Sequence, residues 1–438
     1  MEVKPRIVDF MRKPHLALVA LVTIGGTACR DAGARTTLDE PETVSAATSV
    51  GSAPMFALSP AGTRAVAWVS APGGGTDGRL YVSTGGAPSE LRDSFGPIEP
   101  HGEAPPKLSY GPDGTLYALY AVGKVVPGRR FPMSSLRLAK SADDGKTWAS
   151  PVTIASDSAF GTRNFHALHV GGDGSLYVAW LEANQGKSKT FLTRSTDAGT
   201  TWTTPVLADS NQSCPCCRTA IATAGDGTLY LAWRSVFPGS VRDVVVARST
   251  DHGATWAAPV RVHADNWVFD GCPHAGPSMQ VDSAGTVHIA WWTGKEGAAG
   301  VFYTRSTDTG ATFTEPIALG AAEFSAPAHV QLALGDGGTV VAVWDDGTVK
   351  TPKVVMRVSH DNGLSFAAPT QVSADGQAAT FPVLALQGRD LTVAWSEQSQ
   401  MEHDHEMAMA PNMKDPKAVK GLSRVGDSEV RVRRGRLQ

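Results

Sequence analysis

The chain is short of charge, of aromatic residues and of long apolar runs, and each shortage excludes something. Only 18% of its 438 residues are charged and the formal net charge is −3, so no electrostatic case exists for nucleic acid as a partner. The apolar run Leu16 to Ile24 is too short to cross a bilayer as a stable helix. No apolar period of 3.6 residues appears through the body of the chain, which argues against helical architecture. Cysteine is scarce, with five residues, and tyrosine is limited to seven. Glycine (46) and proline (28) are plentiful, as a turn-rich β structure requires.

What the chain does have is repetition. Ser141, Asp143, Gly145, Thr147 and Trp148 form a pattern that recurs at Ser195 to Trp202 and at Ser249 to Trp256. Two variants follow, Ser306 to Phe313 and Ser359 to Phe366. In each, the Ser and Asp side chains can tie down local backbone N–H groups, and the Gly can take positive φ. A second repeat lies upstream of each copy: a tight turn, then an alternating apolar strand ending in an aromatic. Asp173 to Trp180 and Asp226 to Trp233 are examples, and Trp68, Tyr120, Trp291, Trp344 and Trp395 hold the same place. These positions recur every 50 to 60 residues or so, a spacing of roughly one propeller blade.

The first pattern resembles the Asp-box, or BNR, repeat of sialidase-like β-propellers. The resemblance covers residues 53–396 and implies an all-β propeller of four-stranded blades. Seven inner strands imply seven blades. Six stays open, because the first copy has only a degenerate box near Ser83 and Gly85 and the seventh has none.

The two ends read differently. Arg12 and Lys13 precede the apolar run, which ends at Gly26-Thr27-Ala28-Cys29. This resembles a bacterial export signal with a lipobox, so residues 1–29 imply an exported protein held in the cell envelope by a lipid on Cys29. Residues 30–52 are expected to form a flexible tether. Residues 397–438 are expected to be a tail, with a Met/His segment around His403 and His405 and a solvated basic run through Arg431, Arg433, Arg434 and Arg436.

In a propeller, the loops leading into the inner strands converge on one mouth of the central channel. Four of the five cysteines fall there: Cys214, Cys216 and Cys217 ahead of blade four, and Cys272 ahead of blade five. An exported protein permits disulfides, and a bridge from the blade-four loop to Cys272 is the natural one. The competing reading is a soft metal site. Thiols with His166, His274 and His329 nearby suit copper or zinc, and His403 and His405 add donors. His263 and His288 fall on outer or second strands and read as structural.

The resemblance also implies sialidase chemistry: an arginine triad, a Tyr nucleophile paired with a Glu, and an Asp acid/base. These motifs do not carry over. The first inner strand reads Ala53-Pro54-Met55-Phe56, without the family's arginine motif, and every tyrosine has a place in a strand. Arg163, Arg218, Asp270 and Glu103 stay as candidates for another reaction on an acidic glycan, with Arg129 and Arg130 as further anion clamps. A non-catalytic propeller that binds a glycan or protein at its mouth is the third reading.

Overall fold

Alternation of apolar residues along short strands, bounded by Gly-containing turns, gives seven antiparallel sheets among the described residues. The computed structural model describes residues 36–48, 51–71, 77–124, 126–127, 133–154, 161–184, 187–399 and 428–438. Each sheet is one blade. Blade two is typical: Lys107–Tyr110 at the channel, then Leu116–Lys124, Met133–Ser141 and Val152–Thr153 outwards. The seven inner strands touch in order and the seventh meets the first, so the ring is closed and the count is seven. No α-helix occurs among the described residues.

Second strands are buried on both faces because each blade is sandwiched between neighbours. The repeat aromatics Trp68, Tyr120, Trp180, Trp233, Trp291, Trp344 and Trp395 are all buried. They fill the wedges between blades: Trp180 shares a cluster with Leu119 and Leu136 of blade two, and Trp68 with Val383 and Val430 of blade seven.

Five Asp boxes join third strands to outer strands. In the first, Ser141 Oγ donates to Asp143 Oδ1 at 2.8 Å, and the N–H groups of Gly145 and Thr147 donate to Ser141 Oγ and Asp143 Oδ1, both at 2.8 Å. Gly145 has φ of 83°, a conformation that glycine adopts without strain. Hydrogen bonds inside the turns pull Asp143, Asp197, Asp251, Asp308 and Asp361 down to about 2. Because strands alternate in direction, the boxes and the inner Asp-Gly turns share one end of the propeller. The loops into the inner strands occupy the other, which is the mouth.

The ends of the chain depart from expectation. Thr37–Leu38 and Glu42–Thr43 pair with Glu429–Arg436, which pairs in turn with Asp390–Ser399. The N-terminus thus supplies the outermost strands of blade seven. The basic run is that blade's third strand and not a solvated tail, and alternate arginines point away from the buried Val430 and Val432. The propeller therefore extends past the expected limits of 53 and 396. Cys29, His403 and His405 lie outside the described residues.

Candidate functional site

The mouth is built on interrupted inner strands. In blade four, Gln212–Ser213 and Ala220–Thr223 pair with the same second strand, Leu229–Phe237. The inner side has more residues between those pairings than its partner, so Cys214 to Thr219 loop out at the channel. Elsewhere bulges do the same work. Ala53, Phe165, His274 and Phe381 have φ of 51° to 55°, and register shifts fall at Asn164/Ala167 and Thr380/Val383. Non-glycine residues in this region are strained, and a bulge re-aims the side chain it carries. Here three of them place rings at the mouth.

The sequence expectation that both cysteine segments meet holds in the geometry. Cys214 Sγ lies 3.4 Å from Cys217 Sγ and 3.8 Å from Cys216 Sγ. The donor atoms of Cys214, Cys216 and Cys217 all fall within 4.8 Å of one another, and so do those of Cys216, Cys272 and His274. Cys216 belongs to both groups. The first three thiols are buried, while Cys272 and His274 are half-buried and face the mouth. Arg242 Nη1 donates to Cys214 Sγ at 3.1 Å. Burial works against a charge on Cys214. Hydrogen bonds from Cys216 and Cys217, with the charges of Arg242 and Arg234, outweigh it and hold that thiol well below its usual range. Burial first, then the Cys214 thiol, push Cys216 and Cys217 well above theirs.

Rings surround this cluster. His101 stacks on His274 with centroids 5.9 Å apart and meets Phe165 edge-on at 5.4 Å. Phe381 lies 4.1 Å from His329.

Beneath them Glu103 forms a hub that crosses the channel. Its Oε1 accepts from Arg218 N–H at 3.0 Å and from Gly276 N–H at 2.5 Å. Its Oε2 stands 3.7 Å from both Arg218 Nη1 and His329 Nε2. Arg218 Nη2 donates to the Val330 carbonyl at 2.8 Å, so blades two, four, five and six are tied together. His329 is engaged at both nitrogens, with Asp345 Oδ2 at 2.7 Å and the His274 carbonyl at 3.0 Å. His166 is fully buried. Neither histidine joins the two thiol groups, which among the described residues comprise Cys214, Cys216, Cys217, Cys272 and His274.

The hydrolase candidates are dispersed. Glu103 and Arg218 hold each other, Arg163 Nε donates to Glu182 at 3.1 Å, and Asp270 is exposed on a mouth loop. Arg129 and Arg130 lie outside the described residues. Among the described residues one Tyr/Glu hydrogen bond occurs, Tyr81 to Glu90 at 2.8 Å, but it sits on the third and outer strands of blade one, away from the channel. His288 bonds Tyr303 at 2.6 Å as a structural pair, and His263 stands 3.9 Å from Asp265.

Sequence reasoning missed Arg234, Arg242, Lys107 and Asp345. A signal existed for two of them. The residue after the repeat aromatic is Val69, Ala121, Leu181, Trp292 or Ser396 elsewhere, yet charged at Arg234 and Asp345. Arg234 is buried and donates to the carbonyls of Arg242, Ala275 and Trp292. Burial, then the Arg218 charge, pulls the Lys107 ammonium down to about 7.

The buried imidazoles set a pH dependence. Burial, the first cause in each case, pulls His101 and His166 down to about 3 and His169 to about 4. An imidazole with its folded pKa below the unfolded value of about 6.5 adds stability above that pH and loses it as pH falls. His329 and Glu99 are shifted upward and act in the opposite sense. The net expectation is a lower urea midpoint at pH 5 than at pH 7, with a smaller difference in a His166→Asn variant. Equal midpoints at the two pH values would contradict it.

The sequence pattern of a family described as "BNR repeat-like domain" matches residues 86–268 and 227–379. No curated protein matches the chain. Among solved structures, the polysaccharide lyase Uly1 is 12% identical with a TM-score of 0.53, covering 92% of this chain and 99% of its own. A protein of unknown function from Dyadobacter fermentans is 17% identical with a TM-score of 0.50, covering 89% and 95%. A Hadza microbial sialidase is 17% identical with a TM-score of 0.46, covering 74% and 71%.

Proposed function

The chain belongs to the BNR repeat-like domain family, as a sialidase-like propeller, and from that premise we propose that its channel mouth binds a soft metal ion, monovalent copper first and zinc second. The observation that carries this is the paired thiol geometry around Cys216. Three sulfurs held about 2.3 Å from a central ion in a trigonal plane stand about 4 Å apart. The separations of 3.4 Å and 3.8 Å already approach that arrangement. Thiolates with an imidazole at the edge select copper(I) or zinc over calcium or magnesium. Arg242 and Arg234 offset the negative charge that several thiolates would bring into the core. The test is metal analysis and thiol counting on protein prepared from its native compartment. One bound ion per chain with the four mouth thiols unoxidised supports the reading. Two disulfides and no metal would end it.

Export and lipid attachment at Cys29 belong to the same proposal, supported by Arg12, Lys13 and the small residues before the cysteine. Mass spectrometry of the mature N-terminus should find diacylglyceryl on Cys29, and an intact N-terminus would refute the anchor.

Hydrolysis of sialosides is expected to be absent. Among the described residues no tyrosine is paired with a glutamate at the channel, and the two most central candidates, Glu103 and Arg218, are occupied with each other. Turnover of a fluorogenic sialoside that disappears in Arg218→Ala would contradict this.

A further inference from the structure

The four mouth cysteines can be ordered from the mouth inward. Cys272 faces the mouth, Cys216 stands behind it, and Cys214 and Cys217 lie deepest, separated by two residues as Cys-Pro-Cys-Cys. Cys216 is in contact with Cys272 on one side and with Cys214, 3.8 Å away, on the other. Cys214 is in turn 3.4 Å from Cys217. The gaps of 3.4 Å and 3.8 Å exceed a covalent S–S bond of about 2.05 Å, so each exchange needs the side chains to move together. Arg242 Nη1, at 3.1 Å, singles out Cys214 as the sulfur best placed to act as a nucleophile.

We propose that these cysteines form a disulfide relay, in which a disulfide made at the mouth between Cys216 and Cys272 is passed inward to Cys214 and Cys217. The substrate class is a small-molecule disulfide such as oxidised glutathione. In the loading step Cys272 attacks it and Cys216 displaces the mixed disulfide, so two electrons leave the protein and two glutathione thiols are released. In the transfer step Cys214 thiolate attacks Cys216 Sγ, the Cys216–Cys272 bond breaks, and Cys272 leaves as a thiolate that takes a proton from solvent. Cys217 then attacks Cys214, releasing its proton to the departing Cys216 sulfur. The transfer moves one disulfide and changes no oxidation state overall. It leaves Cys216 and Cys272 reduced while Cys214 and Cys217, also ligands in the metal proposal, carry the oxidation.

The relay uses the same residues as the metal site but needs no metal, so the two can fail separately. The experiment uses the full chain, reduced and treated with chelator, mixed with one equivalent of oxidised glutathione. Samples are acid-quenched over time, alkylated and mapped by tandem mass spectrometry. The Cys216–Cys272 bridge should appear first and then give way to Cys214–Cys217. A Cys217→Ser variant should stop with its disulfide on Cys216. A Cys272→Ser variant should form Cys214–Cys217 at least roughly tenfold more slowly, because the attacking thiol at the mouth is gone. A bridge that stays at Cys216–Cys272 in the unaltered chain, or an unchanged rate in Cys272→Ser, would overturn the relay. Copper titration of the fully reduced protein reads the metal proposal independently.

Discussion

Replacement of Cys216 by serine should lower copper(I) affinity by roughly 100-fold or more, measured by competition with a chromophoric chelator. Loss of an outer-shell partner alone typically costs about 10- to 100-fold, and Cys216 is the proposed direct donor shared by both thiol groups. The variant removes one sulfur from each group at once, so neither can compensate for the other. Arg242→Met tests the electrostatic part. It removes the N–H donor to Cys214 while sparing every proposed ligand, and a drop of about tenfold is expected. An undiminished affinity in Cys216→Ser would mean the ion sits elsewhere, and the assignment of the mouth cluster would fall.

The second large effect concerns stability. Glu103→Ala should destabilise the propeller by about 3–5 kcal/mol, because it leaves Arg218 buried without its carboxylate. Two backbone N–H groups, of Arg218 and Gly276, lose their acceptor in the same step. Glu103→Gln keeps a carbonyl oxygen for those donors and should fall between the variant and the parent. Denaturant titration of the three proteins gives the order directly. If Glu103→Ala unfolds at the same midpoint as the parent, the hub does not hold the blades together.

Much of this architecture was legible because a propeller writes itself several times. Five Asp boxes and seven aromatic positions fix the blade period, and the period in turn locates the loops that converge at the mouth. That is why Cys214 and Cys272 could be placed together from sequence, although about one blade of chain separates them. What could not be read are contacts that break the repeat. Nothing periodic announces that Glu103 reaches across the channel to Arg218. Nor does anything periodic reveal that Arg242 on a third strand approaches Cys214. The closing strands were misplaced for a similar reason. Thr37–Leu38 and Glu42–Thr43 are too short to show alternation, and their partner strand carries so many arginines that it reads as solvated. It is tolerated because one face alternates into the core through Val430 and Val432, while the other meets water.

The pairing of Thr37 with Arg436 and of Leu38 with Gly435 has a consequence for how the protein comes into being. The first described strand meets Glu429–Arg436 across a very long stretch of chain, so ring closure waits until that strand has been synthesised. Pairing of such high sequence separation is slow, since the loop entropy is lost before any contact is gained. In the interval the first six blades can form in order, but the inner strand of blade one presents an open flank and blade seven lacks its edge. Unpaired edges of that kind are templates for pairing with another chain. The strand Glu429–Arg436, with its row of arginines, is therefore also the one whose arrival closes these edges against misassembly.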